Sequence, residues 1–244
     1  MEPSDWPPLR LNPRPRIDAV TVAGRTVCHV IDDALLDPLH WVEWASSRRD
    51  AFERAGHNAF PGNELRLPDA VATPIGDYFN THLRDRFEAR RLERHYARLS
   101  MVCLAPEALQ PTQWQPHVDR LDMAPGHGIA ASVLYLFRDA SLGGTGFYRI
   151  RRSPETTVAM IQDAEQLSPE SFSARHGVSP GYTTESNDWF ERVAGVEARW
   201  NRLIIYSGTI FHAGDIRHPQ RLSDDPATGR LTLNGFFTYR RRAR

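Results

Sequence analysis

Lysine is absent from the sequence, so all 30 of its basic residues are arginines. Without a primary amine on any side chain, the protein cannot form a Schiff base through lysine, and it cannot carry a Walker-type phosphate-binding loop. Any cationic side chain that anchors an anionic ligand must therefore be an arginine or a histidine.

Cysteine is almost absent, since Cys28 and Cys103 are the only two and they lie far apart. No CxxC pair exists, which excludes a cysteine zinc site. Two isolated thiols are typical of a reducing compartment, and we expect the protein to be cytoplasmic. Net charge is also absent, because 30 acidic residues balance the arginines. A nucleic-acid partner, which usually requires a basic excess, is therefore not expected.

Long apolar runs are lacking as well, so no membrane span is expected. Residues 1–18 are rich in proline and arginine and have no apolar core of the kind that a signal peptide needs. We expect this segment to be an extended arm and residues 19–244 to form a single domain. The composition leaves the oligomeric state open.

The pattern of apolar residues predicts helices first and strands later. Two short strands are expected around Gly24, a helix from Asp37 and Pro38 to Gly56, and a second helix from Thr73 and Pro74. Five later apolar runs, separated by turn residues, indicate strands at 94–104, 128–137, 144–150, 201–207 and 230–239. A partly helical insertion at 153–188 interrupts them. The sequence thus predicts an α+β, mainly β protein whose antiparallel β region is a barrel or jelly roll.

The stretch QPHVDRLDMAPGHG contains His117 and Asp119, separated by one residue. On an extended chain such side chains point to the same side, although an HxD pair is common by chance. His212 follows a distant apolar run, LIIYSGTIF, and could complete a set of two histidines and one carboxylate. This is the facial triad of non-haem Fe(II) oxygenases. Alternatively, His212 is a half-buried histidine without a ligand.

Arg230 begins the last predicted strand, and Thr232 and Asn234 alternate with it on one side. An arginine there can bind a carboxylate through two hydrogen bonds, and a threonine can add a hydroxyl donor. The alternative is an ordinary sheet-edge arginine near an arginine-rich C-terminal segment.

Taken in order, these residues resemble the 2-oxoglutarate/Fe(II)-dependent dioxygenase superfamily, and most of all its prolyl-4-hydroxylase-like branch. The resemblance covers roughly residues 93–240 and rests on HVD at 117–119, SVLYLF at 132–137, GGTGFYR at 143–149, FHAG at 211–214 and GRLT at 229–232. The sequence is also similar to an uncharacterised bacterial family of that branch, through FPG at 60–62, NDWFERV at 187–193, NRLIIYSG at 201–208 and GRLTLNGFF at 229–237.

The resemblance implies a double-stranded β-helix, or jelly roll, with N-terminal supporting helices. It implies that His117, Asp119 and His212 bind Fe(II). Arg230 would bind the distal carboxylate of 2-oxoglutarate, with the Thr232 hydroxyl beside it, and Tyr135 matches a tyrosine that contacts this cosubstrate in prolyl hydroxylases. Asn234 is a neighbouring candidate for the same role.

The implied reaction consumes 2-oxoglutarate and O2, releases succinate and CO2, and hydroxylates an unactivated C–H bond. The carboxylate of Asp119 implies hydroxylation and not halogenation, because related halogenases have a small residue there. The chain departs from the common pattern in two long connections, Asp119 to His212 and His212 to Arg230. Both departures lie where loops are tolerated, and they leave the substrate undefined.

Two other classes of function remain open. The same His/Asp/His set could hold zinc or manganese in a cupin-like isomerase or hydrolase, although such an enzyme has no need of Arg230. A non-catalytic jelly-roll binding module is the third reading. For the oxygenase, the expected substrate is a small molecule, an amino acid or a peptide side chain.

Several residues near the motif have two interpretations. We expect Trp114 and Gln115 on the strand that leads to His117, with Trp114 either in the pocket wall or in the core. Asp122 and His127 are predicted to be loop residues, and the alternative for His127 is that it contacts substrate. Residues 187–189 end the insertion and could close the site, whereas Arg240, Arg241 and Arg242 read as a solvated tail or a basic interaction patch.

Overall fold

The computed structural model describes residues 2–54, 60–119 and 123–243. The protein is mainly β, as predicted, and its strands form two antiparallel sheets. The larger sheet has eight strands in the order β1-β2-β9-β6-β11-β5-β4-β3, and the smaller has three in the order β10-β7-β8. The strands are β1 Asp18–Val22, β2 Arg25–Ile31, β3 Glu53–Arg54, β4 Gly62–Arg66, β5 Ala89–Val102, β6 His127–Tyr135, β7 Gly144–Ile150, β8 Phe190–Val196, β9 Leu203–Ser207, β10 Phe211–Asp215 and β11 Arg230–Arg241.

Five α-helices are described: α1 Pro38–Ser47, α2 Asp69–Tyr78, α3 Pro111–Trp114, α4 Pro154–Gln166 and α5 Pro169–His176. The first begins as predicted but ends well before Gly56, because β3 follows and pairs with β4. The second begins earlier than Thr73, directly after Pro68, with the Asp69 carboxylate in its first turn. None of the described helices has the length and apolarity that a membrane crossing requires.

Each of the five predicted runs contains a strand, but the two-residue strand β3 and three longer strands were not predicted. The longer ones are β4, β8 and β10. Their sequences, GNELR, FERVAGV and FHAGD, carry glycine or acidic residues that are poor strand formers. Pairing decides their conformation: β4 lies along β5, while β8 and β10 flank β7. Tertiary context therefore overrides local preference in these segments.

Alternation along β11 separates the core from the cavity. Leu231, Leu233 and Phe237 are buried against the N-terminal helices, in a core that also holds Trp41 and Phe79. The intervening residues, Arg230, Thr232, Asn234 and Phe236, face a cavity on the other side of the sheet. One strand thus contributes to both the core and the candidate site.

The insertion at 153–188 is partly helical, as predicted, and it packs on the smaller sheet. Met160 of α4 and Phe172 of α5 share a buried cluster with Trp114 and Phe190. Trp114 lies in the short helix α3, so the expectation that it sits on a strand with His117 is wrong. Its indole contacts Phe172 and donates a hydrogen bond to the Leu109 carbonyl, which makes it a core residue.

Candidate metal centre and cavity

His212 is brought together with His117 and Asp119 although the strands β6, β7, β8 and β9 lie between them in sequence. His117 and His212 form an isolated antiparallel bridge, with reciprocal backbone hydrogen bonds of 3.0 and 2.9 Å. The backbone amide of Asp119 donates to the Gly208 carbonyl at 2.8 Å. This bond holds Asp119 beside the connection between β9 and β10, the strand that carries His212. As a result, one ligand atom from each residue lies within 4.8 Å of the other two.

The protonation of the three side chains suits a divalent cation. Desolvation lowers the pKa of His212 to about 4, and desolvation together with repulsion from His212 lowers the pKa of His117 to about 4. Both imidazoles are therefore neutral at neutral pH. The Nδ1 of His212 lies 2.8 Å from the Ile210 carbonyl, which assigns the proton to Nδ1 and leaves the Nε2 lone pair free.

Asp119 carries the negative charge of the cluster. Desolvation raises its pKa to about 6, although His117 and Arg98 lower it. Its Oδ2 atom is buried and has no hydrogen-bond partner in the described part of the chain, and its Oδ1 lies 3.8 Å from Nε2 of His212. A buried, unpartnered carboxylate oxygen beside two neutral imidazoles is a donor set that fits a divalent metal.

Arg230 lies in the same cavity and is 4% exposed. Its Nε and Nη2 each donate to a backbone carbonyl, of Gly143 and Gly144, at 3.0 Å. No carboxylate among the described residues pairs with it within 4.0 Å, and its Nη1 has no hydrogen-bond partner there. A buried guanidinium without a counter-ion is costly, so this end of the cavity is built for an anionic ligand.

The remaining predicted contacts are less direct. Thr232 and Asn234 line the cavity, but the Thr232 hydroxyl donates to the Ser100 carbonyl at 3.3 Å. Tyr135 is fully buried, and its hydroxyl is 2.8 Å from the hydroxyl of Thr145, which lines the cavity. Their contact with a cosubstrate stays a prediction.

The cavity has a volume of ≈ 740 Å³ and includes residues that the sequence did not single out. Tyr206 is 3% exposed, lines the cavity and contacts the ring of His212 at 4.6 Å between centroids. Arg98 lines another part of the wall and pairs with Glu64. The alternation of Arg94, Tyr96 and Arg98 along a predicted strand was the available signal for this second arginine, since these residues share one face.

The other residues near the motif do not join the candidate metal centre. His127 was expected in a loop, but it begins β6, and its Nε2 lies 3.1 Å from a carboxylate oxygen of Glu93. The side chain of Asn187 accepts hydrogen bonds from the backbone amides of residues 189 and 190, so it organises the end of the insertion. In the C-terminal segment, Arg240 pairs with Glu93 and Arg242 with Asp85. The prediction for Asp122 lies outside the described residues.

A profile described as a family of unknown function (DUF6445) matches residues 13–237. The chain belongs to this family. A search of curated proteins found no match to the sequence.

Among solved structures, the chain is similar to a prolyl-4-hydroxylase from Pseudomonas putida, with 16% identity, a TM-score of 0.45 and coverage of 88% of this chain and 93% of the other. It is similar to HygX from Streptomyces hygroscopicus with nickel, 2-oxoglutarate and hygromycin B bound (13% identity, TM-score 0.41, coverage of 88% and 82%). It is also similar to a viral collagen prolyl hydroxylase from Paramecium Bursaria Chlorella virus-1 (12% identity, TM-score 0.42, coverage of 92% and 95%).

Proposed function

We propose that this member of the DUF6445 family is an Fe(II)- and 2-oxoglutarate-dependent dioxygenase. It hydroxylates an unactivated C–H bond of a small molecule, an amino acid or a peptide side chain. One observation carries the proposal: a cluster of two histidines and one aspartate shares a cavity with a buried arginine that has no described carboxylate partner. The cluster of histidines and aspartate fits a metal ion, and the arginine fits the far carboxylate of a dicarboxylate.

The arrangement of strands supports the fold that this function requires. The strands β5-β11-β6-β9 run antiparallel in the larger sheet, and β10-β7-β8 run antiparallel in the smaller one. The bridge between His117 and His212 extends the smaller sheet by one short segment beside β10. We infer that these two four-membered layers form a double-stranded β-helix, with the candidate metal ligands between them.

Each residue has a defined task in the proposed reaction. His117, Asp119 and His212 would hold Fe(II), which supplies the activation of O2 that couples oxidation of 2-oxoglutarate to succinate and CO2 with hydroxylation of the substrate. Arg230 would bind the distal carboxylate of 2-oxoglutarate through its free Nη1 group and orient the cosubstrate. The neutral imidazoles and the single carboxylate contribute one negative charge, which leaves the centre cationic toward an anionic chelate.

A metal-dependent isomerase or hydrolase would use the same three ligands. Such an enzyme has no use for a buried cation without a counter-ion at the other end of the cavity. Arg230 therefore favours the oxygenase over this alternative and over a non-catalytic binding module.

Spectroscopy and product analysis test the proposal together. Anaerobic addition of Fe(II) and 2-oxoglutarate should produce a weak visible charge-transfer band, and admission of air should produce succinate. Asp119→Ala should abolish both signals, because it removes the only anionic ligand of the triad. Asp224→Ala is the control, since Asp224 is exposed and pairs with Arg49. Absence of both the band and succinate in the unmodified protein would overturn the proposal.

A further inference from the structure

Gln115 is a buried side chain with no partner. It is 6% exposed, it lines the cavity, and it precedes His117 by two residues. Neither its Nε2 nor its Oε1 has a hydrogen-bond partner within the described ranges. A buried amide in this state destabilises the folded protein, because both of its polar atoms have left water without replacement. The amide of Gln115 can therefore form hydrogen bonds with a molecule that binds in the cavity beside the candidate metal ligands.

Gln113 shows what a structural glutamine looks like in the same segment. Its Nε2 donates to the Phe60 carbonyl at 3.1 Å, and its Oε1 accepts from the Gln110 amide at 2.8 Å. Both residues line the cavity, so the difference between them is not one of location. The amide of Gln113 holds α3 in place, whereas the amide of Gln115 holds nothing in the described structure.

The wall that shares the cavity with Gln115 is close to neutral. Arg98 is neutralised by Glu64, whose carboxylate lies 2.9 Å from its Nε and 3.0 Å from its Nη1. Asn234 stands opposite Arg98 in the pairing of β11 with β5, and its buried Oδ1 has no partner among the described residues. This wall thus offers neutral hydrogen-bonding groups and a compensated cation. It does not offer a free charge.

An aromatic surface adjoins these groups. Phe236 stacks on Tyr96 with 4.8 Å between ring centroids, and the Arg98 guanidinium lies 4.8 Å from the Phe236 centroid. Phe236 and Tyr96 both line the cavity and are only partly buried. They present apolar area to a bound molecule, which suits an aromatic or aliphatic group.

We propose that Gln115 recognises an uncharged amide of the substrate, and that the adjacent apolar part of the substrate packs on Phe236 and Tyr96. An amide both donates and accepts, so it satisfies Nε2 and Oε1 of Gln115 at once. A carboxylate would accept from Nε2 but has no hydrogen to donate, so it would leave Oε1 of Gln115 without a partner. This inference rests on the proposed function for the identity of the bound molecule as substrate, but the binding itself does not require turnover.

Two matched probes test the inference. The first is 3-phenylpropanamide, and the second is 3-phenylpropanoate, which has the same ring and chain but carries a carboxylate. Calorimetric titration into the anaerobic Fe(II)·2-oxoglutarate complex should show the amide binding about tenfold more tightly, a difference of about 1.4 kcal/mol. Gln115→Leu should weaken amide binding about tenfold and abolish the preference. Gln115→Glu should also weaken it, because the donor atoms are lost. Gln113→Leu should keep the preference.

A thermal melt provides a second readout that does not depend on ligand. Gln115→Leu should raise the melting temperature, because it removes an unsatisfied buried amide, while Gln113→Leu should lower it by breaking two hydrogen bonds. An equal or stronger affinity for the carboxylate, or a preference that survives in Gln115→Leu, would overturn the inference.

The experiments distinguish failure of the amide-binding inference from failure of the proposed dioxygenase function. A visible Fe(II)·2-oxoglutarate band without amide preference would leave the dioxygenase standing and remove the inference. For the reverse case, the amide is titrated into the metal-free chain and its Gln115→Leu variant. A Gln115-dependent affinity there, without any band or succinate, would support the amide subsite and overturn the dioxygenase.

Discussion

Two arginines face the same cavity from neighbouring strands, and their electrostatic situations are opposite. Arg230 on β11 is buried, donates to the backbone carbonyls of Gly143 and Gly144, and has no carboxylate partner among the described residues. Arg98 on β5 is more accessible, and Glu64 compensates its charge. One guanidinium is therefore left free to bind an anion, whereas the other is already half of an internal ion pair.

The two arginines also act on different groups. Arg98 is one of the charges that lower the pKa of Asp119, against the larger effect of desolvation, which raises it to about 6. Arg230 lowers the pKa of Tyr135, against burial, which raises it to about 12. Arg98 thus lies in the electrostatic neighbourhood of the candidate metal ligands, and Arg230 in that of the tyrosine. The cavity has an arginine without a described carboxylate partner at one end and a compensated, nearly neutral wall at the other.

The largest expected effect comes from breaking the compensated pair. Arg98→Met should lower the free energy of unfolding by about 3 kcal/mol, because it removes the guanidinium that pairs with the Glu64 carboxylate at 2.9 Å. Urea denaturation measures this change through the shift of the midpoint at constant slope. Glu64→Gln added to Arg98→Met should recover most of the loss, since the amide no longer carries a buried charge.

A loss of stability that persists in the double variant would show that the packing of Arg98 on Phe236 matters more than its ion pair with Glu64. In that case the contrast between the two arginines would be one of packing and not of charge compensation.

Arg230→Met tests the other end of the cavity. It should raise the dissociation constant for 2-oxoglutarate about 100-fold, equivalent to about 2.7 kcal/mol, because the charge-assisted hydrogen bonds to the distal carboxylate are lost. Titration with 2-oxoglutarate, followed through the visible band, measures this dissociation constant. Arg240→Met is the matched control, since Arg240 lies on the same strand but is exposed and pairs with Glu93. Equal effects of the two substitutions would mean that Arg230 is not the anchor.

The placement of Arg230 was predictable from sequence, and the compensated wall around Arg98 was not. Arg230 opens an alternating run in which Thr232 and Asn234 share its face, and the period of a strand predicts this arrangement without any tertiary information. His117, Asp119 and His212 were grouped on an HxD pair, a later histidine at the end of an apolar run, and the family resemblance that these residues help to carry. Their convergence within 4.8 Å agrees with the predicted grouping.

Arg98 and Gln115 could not be interpreted from sequence for a physical reason. The partner of Arg98 is Glu64 on β4, a strand that the pattern GNELR does not predict and that forms because it pairs with β5. The significance of Gln115 lies in hydrogen bonds that it does not make, and such an absence is visible only in three dimensions. Strand periodicity specifies which face of the sheet a residue occupies. Its neighbours in three dimensions decide whether its charge is compensated and whether its polar atoms are free to bind a ligand.

The smallest expected effect distinguishes the candidate metal centre from both arginines. A Cβ at Gly208 would lie 2.5 Å from Oδ2 and 3.1 Å from Cβ of Asp119, so Gly208→Ala should displace this carboxylate without touching Arg98 or Arg230. We expect Fe(II) affinity to fall about tenfold, in the range that perturbation of a ligand's immediate surroundings produces. Gly214→Ala is the control, because a Cβ there would meet only the Ile216 side chain, at 3.2 Å.

Anaerobic Fe(II) titration measures the change in Fe(II) affinity. The affinity for 2-oxoglutarate, measured at saturating Fe(II), should stay within twofold, since Arg230 is unaltered. A fall in 2-oxoglutarate affinity as large as that in Fe(II) affinity would show that the two ends of the cavity do not act independently.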